Sequence, residues 1–489
     1  MPGDRRAHRR PRRRRLRPGP ARGVSARALA ADLRRELGGA AVPDGDLRHY
    51  GHDATEAHGV HGTPAAVVLP ADTAGVAAAL RCCDRLGVAV VPRGGGTGLA
   101  AGAVPLGGEV VLGLERLTAV RALEPERWRM HVEAGLTTGH VHRLARESGL
   151  LFPPDPGAAE QSQIGGNVAT NAGGPHAFKY GVTGRWVTGL EAVLASGEVL
   201  TVGGPLRKDV AGYDLRSLLV GSEGTLAVIT AAWLALTPMP EARLPVAAAF
   251  DSVGAGCDAI DAIVASGLTP AILEYLDAGT LEAAGAAFPA ALPAPARMLV
   301  IAEADGSAAE AARVRSELVE VLGDGALALH APQARGDVEA LWRWRDGVST
   351  AVAAHRGGKM GEDVVVPFER LRDVIAATVE IGARHGLPAC SWGHAGDGNV
   401  HATLLVRRDD AAELMRAQAA AEDLFAAAVA LGGSVSGEHG LGWVKRGQLE
   451  RQWAPAALDL HEGVKRLFDP HGRLNPGKKL ARRDPPPGR

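Results

Sequence analysis

Three glycine-dense segments, far apart in the chain, constrain this sequence more than any other feature. The first, Pro92-Arg-Gly-Gly-Gly-Thr-Gly98, follows directly on the apolar run Val88–Val91. The second begins at Phe152-Pro-Pro-Asp-Pro-Gly157 and continues through Ile164-Gly-Gly-Asn-Val-Ala-Thr-Asn-Ala-Gly-Gly174. The third reads Arg207-Lys-Asp-Val-Ala-Gly-Tyr-Asp-Leu215 and ends in Gly221-Ser-Glu-Gly-Thr-Leu226. Glycine has no Cβ, so clustered glycines after a strand let backbone N–H groups approach and cradle a phosphate. The first loop is not a GxGxxG opening a helix, and no Walker lysine follows it. One large flat cofactor with a pyrophosphate suits all three segments together. Small residues admit its ring and chain, while Asn167, Thr170, Asn171 and Thr225 offer hydrogen-bond groups to its polar edges.

Around these loops the pattern is α+β. Short apolar runs at Ala66–Leu69, Val88–Val91, Val110–Leu112, Leu190–Ala195 and Thr225–Thr230 predict strands. Asp72–Leu86 has helical periodicity and is expected to cross between the first two of them. Two prolines in Pro238-Met-Pro240 are expected to end the strand that closes this region, which spans 45–240. From 241 to 430 helical stretches (Gly254–Ser266, Ala308–Leu322, Asp410–Leu431) alternate with strands such as Met298–Ala302. Phe288–Pro295 predicts a surface loop, and 431–480 returns to glycine-rich turns around a last helix.

Charge is balanced overall, with 54 Lys and Arg against 55 Asp and Glu, but it is segregated. Residues 1–20 hold nine arginines and one acid, leaving 45 basic against 54 acidic groups in the rest. That body, at net −9, carries no basic stripe of the kind nucleic acid requires. No apolar run reaches the ~18 residues of a spanning helix, and the expected location is cytoplasmic, or peripheral to the inner membrane face. The Arg-rich 1–22 segment is expected to be a disordered tail or the product of a start codon set too early. Cys82, Cys83, Cys257 and Cys390 form no CxxC pair and predict reduced, buried thiols.

The sharpest chemistry lies in Trp392-Gly-His-Ala-Gly-Asp-Gly-Asn-Val-His401. Folded as a hairpin on a two-residue Asp397-Gly398 turn, it brings His394 to face His401, with Cβ atoms ~4.5–5.5 Å apart. Glu438 in Ser436-Gly-Glu-His-Gly440 is a plausible third ligand. Two histidines and a carboxylate suit a divalent ion, Zn²⁺ foremost, or Mn²⁺ or Fe²⁺. His439, next to that ligand, is a candidate general base, with a fourth-ligand role as the alternative. Arg345 precedes Ser349 by four residues, on one helical face, and its fork suits a carboxylate.

These segments resemble the vanillyl-alcohol oxidase / p-cresol methylhydroxylase superfamily, and within it the D-lactate, glycolate and D-2-hydroxyglutarate dehydrogenases. The resemblance covers residues 45–480. It implies a p-cresol methylhydroxylase-type FAD-binding domain of two α+β subdomains, plus an α+β substrate cap domain with an antiparallel sheet. Pro92, Arg93, Gly94, Gly95, Gly96, Thr97 and Gly98 are then expected to hold the pyrophosphate. Pro154, Asp155, Gly157, Gly165, Gly166, Asn167, Thr170, Asn171 and Gly174 line the flavin and its ribityl chain. Glu223, Gly224 and Thr225 support the cofactor, and Asn475 closes over it. Thr97 stands where some members carry a flavin-attaching histidine, so noncovalent FAD is expected. The resemblance also implies metal at His394, His401 and Glu438, a base at His439, and substrate contacts from Arg345, Ser349, Asn399 and, less strongly, Lys359. Gly361 stands where the D-2-hydroxyglutarate enzymes place a distal-carboxylate lysine, which weakens a dicarboxylate substrate. The implied reaction is oxidation of a small D-2-hydroxy acid, with electrons passed to a protein, a quinone or O₂. A homodimer and a subunit of a glycolate-oxidising complex are both open. The competing reading is a metal-independent flavin enzyme acting on another alcohol or a lactone.

Overall fold

The computed structural model describes residues 25–55 and 59–480. The expectation made for residues 1–22 lies outside the described residues. Three sheets carry the architecture. The first is parallel, with Val110–Gly113 between Ala66–Val68 and Val90–Arg93. Helix Thr73–Arg85, capped by Asp72 accepting from the Gly75 N–H at 2.7 Å, crosses between the outer two strands and not between neighbours. The second sheet is antiparallel and runs Val120–Glu124, Arg129–Glu133, Ala227–Ala235, Val187–Leu194, Val199–Gly203. Its central strand extends to Ala235, past the expected Thr230, because both faces remain apolar to that point. The strand ends before the prolines. Pro238 instead pairs with Leu150 in a two-residue ladder, which asks no N–H of it.

The third sheet is wholly antiparallel and has seven strands. Their order is Ala328–His330, Ala242–Phe250, Met298–Gly306, Ile272–Asp277, Ala389–His394, Asn399–Leu405, Lys359–Val365. Side chains alternate between faces along each strand. One face, with Phe250, Leu273, Tyr275, Val300, Val364, Val400 and Leu404, is buried under helices Val253–Ala265, Ala308–Gly323, Leu371–Arg384 and Ala411–Ala430. The other face is apolar only in part. Leu276, Leu299, Ile301, Trp392 and Leu405 pack on Leu341, Trp344, Val348 and Val352 of helix Arg335–Arg356. Phe288, expected on a surface loop, is buried in this second layer with its ring 4.8 Å from Trp344. The same sheet face carries Asp305, Glu303, Glu274, His394, His401 and Asp363, and these positions turn toward the glycine loops.

The C-terminal segment returns to the first sheet. Leu474 bridges Val90 in parallel, and the Asn475 N–H donates to the Val90 carbonyl at 2.8 Å. All four cysteines are buried and unpaired.

Candidate active site

The two histidines of the hairpin share a face, though not by the expected register. The strand Ala389–His394 turns through Ala395–Asp397, with Gly398 in the left-handed region at φ 66°, into Asn399–Leu405. This turn is longer than the two-residue Asp397-Gly398 turn, so Trp392 stands opposite His401 and His394 is displaced by two residues. A slip of one residue would send the histidines to opposite faces; a slip of two preserves the face. Their rings lie 5.4 Å apart at 86°.

Glu438 meets both. Its Oε1 is 3.7 Å from His394 Nε2 and 3.6 Å from His401 Nε2. A tetrahedral ion with ligands at ~2.0–2.1 Å has ligand–ligand edges of about 3.4 Å, so a small inward movement closes this triangle on a metal. His439 Nε2 lies 3.8 Å from the same oxygen, and its ring stacks on His401 at 5.4 Å and 16°. Asp363, His401 and His439 make a second set of three converging ligand atoms that shares His401.

Two buried carboxylates absent from the sequence expectations set this geometry. Asp363 accepts from Ser436 Oγ and from the N–H groups of Gly437, Glu438 and His439, and so shapes the loop that presents Glu438. Burial opposes its charge. The neighbouring His439, Lys445 and His401 and the Asn399 amide outweigh burial and hold it well below the usual carboxylate range. Glu274, opposite His394 on the next strand, accepts from His394 Nδ1 and from Arg345 Nε and Nη2. A carboxylate on the far ring nitrogen fixes the tautomer and orientation of a metal-ligating histidine. Burial would raise Glu274, but Arg345 and His394 bring it down to about 2.

The histidines differ accordingly. Burial would strip His394 of its proton, yet Glu274 and Glu438 on either side hold it well above the usual imidazole value. Burial pushes His401 down to about 3 and also lowers His439, leaving both neutral. Glu438 is brought down to about 2 against burial by His394, His401 and His439. The position between His394 and Glu438 therefore attracts positive charge, while the adjoining imidazoles have free electron pairs to give. A divalent cation fits that donor set.

The glycine loops form a cradle with room in it. A Cβ on Gly166 would meet no protein atom within 4 Å, and one on Gly94 only ordinary contacts at 3.6 Å with Gln163 and Gly166. Gln163 Oε1, Ser222 Oγ and Asn475 Oδ1 are buried without hydrogen-bond partners among the described residues. Orphaned polar atoms around an open cradle fit a bound polar cofactor.

Other expected cofactor residues frame the cradle. Arg93 donates to the carbonyls of His52 at 2.5 Å and His49 at 3.2 Å, and its guanidinium packs beneath Gly96, where a Cβ would collide with it. Gly95 is required by protein, since its Cβ would lie 2.1 Å from the Gln161 carbonyl oxygen, and Gly96 has φ 71°. Thr97 and Gly98 continue the loop, Thr97 half-buried. Pro154 accepts from His142 Nε2, and Asp155 binds His176 Nδ1 at 2.6 Å. Gly157 is open, whereas Gly165 abuts Ala134 and Gly174 abuts Asp155. Asn167 Nδ2 donates to Thr138 Oγ1, Thr170 Oγ1 donates to the Gly166 carbonyl, and Asn171 Oδ1 accepts from the Gly184 N–H. Glu223 accepts from the N–H groups of Leu441 and Gly442, tying the C-terminal segment to Gly224 and Thr225. Asn475 Nδ2 donates to Glu223 and Gly102 carbonyls.

The expected substrate residues separate. Arg345 spends Nε and Nη2 on Glu274. Asn399 gives its amide hydrogens to Asp363 and Val364 and stands in the frame of the loop. Lys359 donates to Ser349 Oγ, and its ammonium lies 4.9 Å from the Trp392 ring centroid; burial lowers its pKa to about 8. The cradle and the His394, His401 and Glu438 cluster adjoin, because a Cβ on Gly173 would come within 3.1 Å of Glu438 Oε2.

Residues 64–203 match the FAD binding domain family, and residues 239–479 match the C-terminal domain of FAD linked oxidases. The chain is 35% identical over 434 residues to glycolate oxidase subunit GlcD of Bacillus subtilis, covering 88% of this chain and 92% of that one. It is 36% identical over 454 residues to D-2-hydroxyglutarate dehydrogenase of Xanthomonas citri, covering 90% and 94%. Its fold is that of p-cresol methylhydroxylase solved with substrate bound, at TM-score 0.78, 18% identity, and 95% and 98% coverage.

Proposed function

The chain belongs to the FAD-linked oxidase family, and we propose that it oxidises a small D-2-hydroxy acid to the 2-oxo acid with the help of a divalent metal. One observation carries this reading: His394, His401 and Glu438 converge beside the flavin-side segment at Gly173, with the His439 ring stacked on His401 against them. The names of the relatives, for glycolate and D-2-hydroxyglutarate, support the substrate class.

When bound, FAD supplies a two-electron acceptor, and a divalent ion such as Zn²⁺ supplies a Lewis acid that lowers a hydroxyl pKa. The cradle at Gly94, Gln163, Gly166 and Asn475 holds the cofactor without a covalent bond, Thr97 having no ring nitrogen to offer. His394, His401 and Glu438 hold the ion. His439 takes the hydroxyl proton at Nε2, the nitrogen facing the cluster, and stays neutral before it does so because burial disfavours its charged form. A positioned base of this kind contributes typically ~10²–10⁴-fold. Lys359 orients the carboxylate, Arg345 holds Glu274 behind His394, and the buried sheet face keeps water from the reacting carbon. Electrons then leave to an external acceptor, and the subunit name carried by the Bacillus relative favours a larger assembly as one destination.

The test is anaerobic mixing of the purified protein with a panel of D- and L-2-hydroxy acids, followed by flavin bleaching, before and after chelation. Bleaching by D-acids alone that chelation abolishes and Zn²⁺ or Mn²⁺ restores is expected. No bleaching by any hydroxy acid, or bleaching indifferent to chelation, overturns the proposal.

A further inference from the structure

A second polar cluster lies on the same sheet face as the metal-ligand residues but takes no part in the chemistry above. His176, from the flavin-side segment, places Nδ1 2.6 Å from Asp155 Oδ2, and its backbone N–H donates to Asp155 Oδ1 at 3.3 Å. Its Nε2 lies 3.5 Å from Oε1 of Glu303, on the cap-sheet strand Met298–Gly306. Both of those atoms are buried and have no hydrogen-bond partner among the described residues, so the contact between them is one of charge. The other oxygen of Glu303 accepts from Trp342 Nε1 at 2.8 Å, and Trp342 is three residues before Arg345 on one helix.

The surroundings explain why charge is needed there. Lys179 and Tyr180 from the same short segment both donate to Asp305, whose carboxylate is buried, and Phe178 packs on Gly396 at the tip of the metal hairpin. Glu274 already has Arg345. Among the described residues, His176 is the cation that stands between Asp155 and Glu303. A neutral spacer would leave a buried carboxylate uncompensated, which is far more costly than the loss of a surface pair. Helix Arg335–Arg356 is held to the sheet by Trp342 on Glu303 and by Arg345 on Glu274, so the seat of its first half depends on both acids.

We infer that His176 is a positioning residue whose imidazolium fastens the cap sheet to the flavin-lining loop and, through Glu303 and Trp342, sets the seat of the substrate-side helix. The imidazolium form agrees with its surroundings, since Asp155 and Glu303 overcome burial and raise His176 to about 10. The titratable groups facing it are Asp155 and the Tyr180 ring from the flavin side and Glu303 from the cap, while the nearby Asp305 is taken up by Lys179 and Tyr180.

The test is a cycle of His176→Gln, Glu303→Gln and the double variant in the full-length holoenzyme. His176→Gln should keep wild-type flavin content, lower the Tm by several degrees and raise KM for the hydroxy acid by about tenfold, with a smaller change in kcat. The double variant should regain most of both losses, because Glu303→Gln removes the charge left unpaired. A raised folded-state pKa stabilises below the unfolded value and loses that stability as pH rises. The thermal advantage of wild type over His176→Gln should therefore be full below pH ~6.5 and vanish toward pH ~10. Unchanged Tm and KM in His176→Gln, additive losses in the double variant, or a pH-independent advantage each overturn the inference. The KM arm rests on the hydroxy-acid reading; the thermal cycle does not, so it decides even if no hydroxy acid is a substrate. Should His176→Gln fail to fold, Glu303→Gln restoring folding in the double variant supports the inference and failure to restore it refutes it.

Discussion

Asp363→Asn isolates what the buried carboxylate does for the active-site loop. Asp363 accepts from Ser436 Oγ at 2.8 Å and from the N–H groups of Gly437, Glu438 and His439 at 2.8, 3.1 and 3.0 Å. An asparagine keeps the shape and can turn its one oxygen to these four donors. Its new NH₂ then faces Asn399, whose own Oδ1 has no partner and can rotate to receive it. Charge is what shape cannot replace. Hydrogen bonds to a charged group contribute ~1.5–3 kcal/mol against ~0.5–1.5 for neutral ones. Over four donors the difference is roughly 4–6 kcal/mol, and release from burying a carboxylate returns roughly half of it. About 2–3 kcal/mol remains, a roughly 30- to 150-fold fall in the ordered loop. Amide exchange at Gly437–Leu441 should accelerate by that factor. Affinity for Zn²⁺, measured by chelator competition, should fall with it while flavin content holds. Ser436→Ala, which removes one donor of the four to the charged carboxylate, should cost about 1.5–3 kcal/mol, or roughly 10- to 150-fold. Exchange in Asp363→Asn within threefold of wild type would refute the reasoning.

Three further outcomes are expected. His394→Ala or Glu438→Ala should lose metal and turnover but keep FAD, whereas His439→Ala should keep both and lose turnover; elemental analysis beside the flavin spectrum distinguishes them. Gly166→Ala should leave the melting temperature of flavin-stripped protein unchanged, since its Cβ meets no protein atom, yet weaken FAD binding at least about tenfold if the cofactor fills that space; equal affinity removes Gly166 from the cradle. Heating or acid should release FAD into the supernatant, and flavin retained by the precipitate would contradict noncovalent binding.

The open glycine loops and the convergence of His394, His401 and Glu438 are legible in the sequence because both sit in short motifs. Glycines crowd together where backbone must come close, and His394, His401 and Glu438 each lie in glycine-framed loops. The hairpin turn was harder, because Asp397-Gly398 suits a two-residue turn locally and only the three-dimensional register shows the longer one. The period of two protected the conclusion from that error. Glu274, Asp363, Glu303 and His176 left no local trace. Their partners are distant in sequence, 71 residues in the case of Arg345 and Glu274 and 75 for Asp363 and the Glu438 N–H. An acid inside an apolar strand, as Glu274 is in Ile272-Leu-Glu-Tyr-Leu-Asp277, is the available hint, for a buried carboxylate needs a cation or a full set of donors.

That requirement changes the place of Arg345. Its fork suits a carboxylate, and in the structure a carboxylate fills it: Nε lies 2.8 Å from Glu274 Oε2. Around the cluster, His394 likewise has Glu274 and Glu438, Lys445 has Glu362 and Asp363, and Lys179 has Asp305. Lys359 has only the Ser349 hydroxyl and the Trp392 face among the described residues, with no acid to balance it. A half-buried cation without a counter-ion is the better receptor for a substrate anion. Lys359→Met should therefore raise KM with kcat, flavin and metal little changed. Burial lowers the Lys359 pKa to about 8, so wild-type KM should rise as pH passes through 8 while the lysine loses its charge, and Lys359→Met should lack that rise. Arg345→Ala should do something different. It strands Glu274 as an unbalanced charge against His394, so metal affinity and kcat should fall together with any change in KM. If Arg345→Ala changes KM alone and Lys359→Met changes nothing, the arginine is the substrate clamp after all, and Glu274 must release it when substrate arrives.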